Sequence, residues 1–194
     1  EAGAAMVVVQ GTVVTARHSS KSLKGLVFSD MIKDLDVPVL VGNTVSYEVT
    51  KELMQQGIAG VMVGVGPGSV CTSREVLGIG IPQVSATIEC AAARDDYFKE
   101  TGKYIPIITD GGIRTGGDVC KSFAAGANAV MIGSPFAKTE EAPAKGFHWG
   151  MAAWHDSLPR GTRINMGTEY SLHQLLYGPS SRTDGTLNLV GALQ

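Results

Sequence analysis

The sequence predicts a parallel α/β fold on three observations. Five short apolar runs, rich in Val and Ile, show no polar alternation. Glycine-bearing polar loops follow four of them. Helical patterns fill most of the stretches between. Short continuous apolar runs fit strands buried on both faces, as parallel strands are when helices cover the sheet.

Taken in order, Glu1–Ala2–Gly3 reads as a helix tail with its glycine stop, ahead of a strand at Ala5–Val9. A second strand is expected at Val37–Val41. Ser46–Gln56 carries Val49, Leu53 and Met54 on one helical face and stops at Gly57. Gly60–Val63 is the third strand. The Thr87–Thr101 helix, with Ile88, Ala91, Ala92 and Tyr97 on its apolar face, stops at Gly102. The fourth strand is Ile105–Thr109. Thr115, with Asp118 three residues on, forms an N-cap signal for a helix over Asp118–Ala125, ended by Gly126. Ala129–Ile132 is the fifth strand. Residues 57–60 and 126–129 are two copies of one helix-to-strand return, as βα repetition requires.

The loops at Gly42–Asn43, Gly64–Ser73, Asp110–Arg114 and Gly133–Ser134 all fall on the carboxyl-end face of such a sheet. Open doubly wound sheets and closed barrels both bind ligands there. The last two loops hold glycine with Asp or Ser, which suits the phosphate site of a TIM (β/α)8 barrel after its seventh and eighth strands. With Ala129–Ile132 as the eighth strand, residues 1–194 form one partial catalytic barrel domain with about strands four to eight. The helix tail without a body and the apolar end NLVGALQ lead to the same expectation, a chain cut at both ends.

Composition narrows the function. Hydrophobic residues at 44% and charged residues at 18% exclude a disordered chain. A net charge of −2 leaves no basic excess for a run of phosphates, against a non-specific nucleic-acid binder. Three cysteines, odd in number and sparse, fit a reducing, cytoplasmic setting better than a disulfide scaffold. The apolar runs are too short for a membrane span, and no signal peptide is visible. Glycine, at 25 residues, is the outlier, and the loops account for it.

The loop Gly64–Val–Gly66–Pro–Gly68–Ser69–Val–Cys71–Thr–Ser73–Arg74 turns on three glycines, which let backbone approach a ligand closely. Ser69 can donate to a phosphate oxygen. Cys71 belongs to no apolar pattern, so its thiol is a candidate nucleophile. Cys90 and Cys120 lie in helical patterns and read as small buried hydrophobes. Asp110, at a strand end, can accept from vicinal ribose hydroxyls, and Gly111–Gly112 bare their amides for an anion. Gly133–Ser134 opens the next helix, where amides, a hydroxyl and the helix dipole would grip a phosphate.

The loop GVGPGSVCTSR and its spacing to ITDGGIRTGGDVCKSFAAGANAVMIGSP resemble the IMP dehydrogenase / GMP reductase family over essentially the whole chain. The resemblance implies the C-terminal part of that family's barrel and NAD(P)-dependent chemistry at C2 of a purine nucleotide of the IMP, GMP or XMP type. Cys71 would be the nucleophile that forms a covalent adduct, with the Ser73 hydroxyl in support. Ser69, Gly112, Gly133 and Ser134 would hold the 5′-phosphate, Asp110 the ribose hydroxyls, and Asn43 the ribose and reacting face. Gly150–Met151 would read the purine edge. The carbonyls of Gly66, Gly68 and Cys71 would bind a potassium ion, as in the dehydrogenases, and the complete protein would be a homotetramer.

The sequence also departs from the family pattern. The dehydrogenases' long flap with its Arg–Tyr pair is replaced by a short stretch from Met151 to Arg160 and Arg163. The reductases' flap Glu has no clear match beyond His155 or Asp156. Gln10 stands where a dinucleotide-side Asp is expected, and the potassium-binding tail is missing. A site that both transfers hydride and hydrolyses an adduct needs a base to enter after the cofactor leaves. A short flap therefore favours GMP reductase over IMP dehydrogenase. Two rivals remain: a flavin-dependent barrel enzyme, which lacks the Cys loop, and a nucleotide-binding barrel without turnover. Arg160 and Arg163 read as solvated charges or as a replacement base, and His148 is the histidine nearest the purine-reading glycine.

Overall fold

The computed structural model describes residues 3–11, 13–19, 21–22, 25–150, 163–178 and 188–193. Strands β1 (Val7–Gln10), β2 (Val39–Thr44), β3 (Gly60–Val63), β4 (Ile107–Asp110) and β5 (Ala129–Met131) form one sheet in chain order, with every pair parallel. The helices are α1 (Phe28–Lys33), α2 (Tyr47–Gln55), α3 (Ser73–Val76), α4 (Gln83–Thr101), α5 (Gly116–Ala124), α6 (Ser134–Ala137) and α7 (Leu172–Leu176). A two-stranded antiparallel ribbon, β6 (Phe147–Trp149) with β7 (Arg163–Asn165), and a 3-10 turn at Gly191–Leu193 complete the described elements.

The sheet is rolled. In a flat sheet β1 and β4 would stand three strand spacings apart, about 14 Å, beyond the joint reach of a Gln and an Asp side chain. Yet Gln10 Nε2 at the end of β1 donates to Asp110 Oδ2 at the end of β4 at 2.8 Å. The five strands are thus an arc of a TIM barrel, and their carboxyl ends converge.

Burial corrects one expectation. Every residue of β3 is buried and β2 nearly so, but β4 alternates and the outer strands are open, with Val8 and Met131 each 40% exposed. An apolar run reports what a strand can bury, not whether a neighbour stands beside it. The main core joins Val41, Val61, Val63 and Ile107 of the sheet to Leu53 and Met54 of α2 and Cys90 of α4. A second cluster, Ile113, Val119, Tyr170, Leu175 and Leu189, lies beneath α5 and α7.

The predicted α5 cap is present in full: Thr115 accepts from the Asp118 amide, and Asp118 accepts from that of Thr115. The helix predicted from Thr87 begins at Gln83, because Pro82 at its N-cap has a φ of −52° that suits helix entry. From α4, Arg94 Nη1 donates to the Gly126 carbonyl at 2.6 Å and to Asn128 Oδ1 at 3.0 Å. Its guanidinium lies 5.1 Å from the Tyr104 ring centre. This side chain fixes the return that leads into β5.

Candidate active site

A cavity of about 550 Å³ opens at the converging strand ends, within the size range of small-molecule clefts. Its walls hold Gln10, Asn43, Gly66, Gly68, Ser69, Cys71, Ser73, Asp110, Gly112, Gly133, Ser134, His148 and Gly150. Apart from Arg163, every predicted site residue among those described therefore lines one cavity. Met151 lies outside the described residues, as do His155, Asp156 and Arg160.

The Cys71 thiol is exposed and donates to Ser73 Oγ at 3.2 Å. Arg74 staples the loop beneath it, donating from Nε to the Val65 carbonyl at 3.2 Å and from Nη2 to the Ile81 carbonyl at 2.7 Å. Cys90 is the reverse case: burial pushes its thiol up to about 11, which keeps it protonated and inert. Cys120 is only half-buried, correcting its reading as core, and its thiol donates to the Ala192 carbonyl at 2.8 Å.

Ser69 and Ser134 bring their hydroxyls within 2.5 Å of each other from two different loops. Gly111 and Gly112 both have positive φ, 85° and 79°, and a Cβ on either would press on Pro67, at 3.1 and 3.3 Å. The turn after β4 needs glycine twice, for its backbone sign and for its closeness to the cysteine loop. Gly133 borders His148: a Cβ there would sit 2.8 Å from the imidazole Cε1. The helix behind Gly133 has only four residues, so its dipole adds little. The hydroxyls and amides of these turns are the groups able to donate to an anion.

On the same cavity wall, Asp110 Oδ2 accepts from Gln10 Nε2 at 2.8 Å and from Asn43 Nδ2 at 2.9 Å. Gln10 Nε2 also donates to Asn43 Oδ1 at 2.9 Å. Burial pushes the Asp110 carboxyl up from the usual range, and the bonds from Asn43 and Gln10 draw it part of the way back. Gln83 of α4 donates from Nε2 to the carbonyls of Val63 at 2.7 Å and Asp110 at 3.2 Å, so it ties together the ends of β3 and β4.

The sequence model of the IMP dehydrogenase / GMP reductase domain matches residues 1–156. The chain belongs to the IMP dehydrogenase / GMP reductase family. An uncharacterized oxidoreductase of Mycolicibacterium smegmatis is 43% identical over 197 residues, 100% of this chain and 52% of that one. Inosine-5′-monophosphate dehydrogenase of Cryptosporidium parvum is 41% identical over 143 residues, 74% of this chain and 33% of that one. The crystal structure of an IMP dehydrogenase/GMP reductase-like protein from Corynebacterium glutamicum is 40% identical. It superposes with a TM-score of 0.85 over 98% of this chain and 50% of that one. The chain thus spans about half the length of the relatives named oxidoreductase.

Sequence reasoning gave little weight to two residues of this family member's cavity. Gln10 registered only as a departure, although a polar residue closing an apolar strand, as Asp110 closes β4, was the signal. His148 registered only by its nearness to Gly150. Burial pulls its imidazole below the usual histidine range, and its Nδ1 is buried with no partner among the described residues. Arg163 does not line the cavity; its guanidinium lies 3.9 Å from the Phe147 ring centre, in the β6–β7 ribbon. For potassium, the Gly68 carbonyl already accepts the Cys71 amide at 3.1 Å. That bond uses one of the carbonyl's two lone pairs.

Proposed function

We propose that the complete protein is an NAD(P)-dependent oxidoreductase acting at C2 of a purine nucleotide through a covalent Cys71 adduct. The exposed Cys71 thiol on the wall of a cavity that the paired Ser69 and Ser134 hydroxyls also line is the observation that supports it. Ser69, Ser134, Gly112 and Gly133 hold the 5′-phosphate, Asp110 and Asn43 the ribose, and Gly150 with Met151 the purine edge. As sulfur adds across the C2–N3 double bond, the Cys71 proton is relayed through the Ser73 hydroxyl to N3 of the purine. A nicotinamide dinucleotide supplies or accepts the hydride at C2, and the exposed position of Cys71 leaves room for its approach.

In the GMP reductase direction, sulfur addition expels the 2-amino group as ammonia, C2 gains hydride, and the thiolate leaves to give IMP. The short stretch between Met151 and Arg163 favours this reading. The IMP dehydrogenase direction, in which C2 loses hydride and water then cleaves the adduct to XMP, is favoured by the relatives named as that enzyme. We read the complete protein as a homotetramer, which light scattering on the eluted protein measures.

The test is absorbance at 340 nm with GMP plus NADPH and with IMP plus NAD⁺, beside Cys71→Ala. A fall with GMP that Cys71→Ala lacks is the expected result; a rise with IMP selects the second direction. A wild type that binds neither nucleotide and changes neither signal overturns the reading, and full turnover by Cys71→Ala removes the thiol from it.

A further inference from the structure

Gln10 is the residue of this cavity that neither motif nor composition explains. It sits at the carboxyl end of β1, half-buried, and both hydrogens of its amide nitrogen have an acceptor: Asn43 Oδ1 at 2.9 Å and Asp110 Oδ2 at 2.8 Å. Asn43 is buried, and its own amide closes the ring onto Asp110 Oδ2 at 2.9 Å. Asp110 Oδ2 thus takes two hydrogen bonds, while Oδ1 has no partner among the described residues. Asn43 keeps a second N–H. All three residues line the cavity.

We infer that Gln10 is a positioning residue. It occupies one oxygen of Asp110 and turns Asn43, so that one carboxylate oxygen and one amide N–H meet the vicinal hydroxyls of a ribose. The inference rests on the proposed nucleotide site. An amide suits this position because it donates twice without charge. A carboxylate there would donate nothing and would set a second negative charge against Asp110. An apolar side chain would leave Asp110 held by Asn43 alone and less firmly ionised, since the bond from Gln10 is one of two that draw its carboxyl back down. The other titratable or charged groups lining the cavity are Cys71 after β3, Arg114 after β4 and His148 on β6. None of them hydrogen bonds to the three residues or ion-pairs with Asp110 among the described residues.

The experiment is calorimetric binding of IMP and of 2′-deoxy-IMP to the complete protein across mildly acidic to alkaline pH. It compares wild type, Gln10→Met and Gln10→Glu. Wild type binds IMP with full affinity above the raised pKa of Asp110, loses affinity as pH falls through it, and discriminates against 2′-deoxy-IMP. Gln10→Met weakens IMP roughly tenfold, the size of one lost charge-assisted hydrogen bond, and barely changes 2′-deoxy-IMP, so discrimination shrinks. Gln10→Glu reverses the pH slope. At low pH the protonated Glu can still donate to Asp110 and affinity recovers; as pH rises both carboxyls ionise and it falls. Recovery at low pH also shows that the variant is folded. Variants that match wild type in affinity, slope and discrimination overturn the role of Gln10 and leave the proposed function standing. A wild type that binds neither IMP nor GMP overturns the function, and this inference with it.

Discussion

Consider Gly133→Ala. The φ at this residue is −107°, open to any L-residue, so the backbone resists nothing. The obstacle is the His148 ring, with Cε1 at 2.8 Å and Nε2 at 3.3 Å from the new Cβ. Ordinary carbon contacts lie at about 3.5–4.0 Å, so the two walls must part by roughly 0.7 Å. The His148 strand β6 pairs only with β7 among the described strands, and such a ribbon can yield. The stability cost should then fall at the low end for overpacking, about 1 kcal/mol. Binding suffers more. A phosphate hydrogen bond of about 2.9 Å stretched by that amount leaves the range of good geometry. Losing one such charge-assisted bond costs about 1.5 kcal/mol or more, roughly tenfold in affinity. The assay is IMP calorimetry on Gly133→Ala, His148→Ala and the double variant. If the contact is the cause, alanine at 133 costs roughly tenfold with His148 present and under about twofold without it. The same loss in both backgrounds would refute the steric argument.

Two further outcomes follow from the geometry. Arg94→Met should lower stability by about 1–3 kcal/mol, because it removes the side-chain donor to the Gly126 carbonyl beside a side chain only 7% exposed, while Asn128 Oδ1 keeps the Ile107 amide at 3.0 Å; thermal unfolding of the complete protein measures this. Thiol titration of the native protein should show one fast group, lost in Cys71→Ala, with Cys120 slower. Cys90 should react only on unfolding, since burial holds its pKa near 11.

The order and direction of the strands were legible because Val-rich runs and glycine returns are local signals. The α5 capping box was legible for the same reason, as Thr115 and Asp118 lie three apart. The openness of β1 and β5 was not, because exposure depends on neighbours that the run itself does not encode. The predicted site residues fall on one cavity because strand-end loops are positioned by the sheet alone. What the sequence hid was partnership. Gln10 and Asp110 are 100 positions apart, and no spacing rule connects them. Likewise, the reason position 133 excludes a methyl group is an imidazole on a ribbon that periodicity did not reveal.

The ring of Gln10, Asn43 and Asp110 has a consequence for the order of folding. Its three bonds close loops of 33, 67 and 100 residues. Closure entropy grows with loop length, and such non-local contacts form once local structure has shortened the path between them. The ring can assemble only after β1, β2 and β4 have all docked, on either side of β3. Ligand recognition at this edge is therefore a late event, withheld from any intermediate whose first strand is still loose. A lesion that merely delays the docking of β1 would register as a binding defect, with every residue that touches the ligand intact.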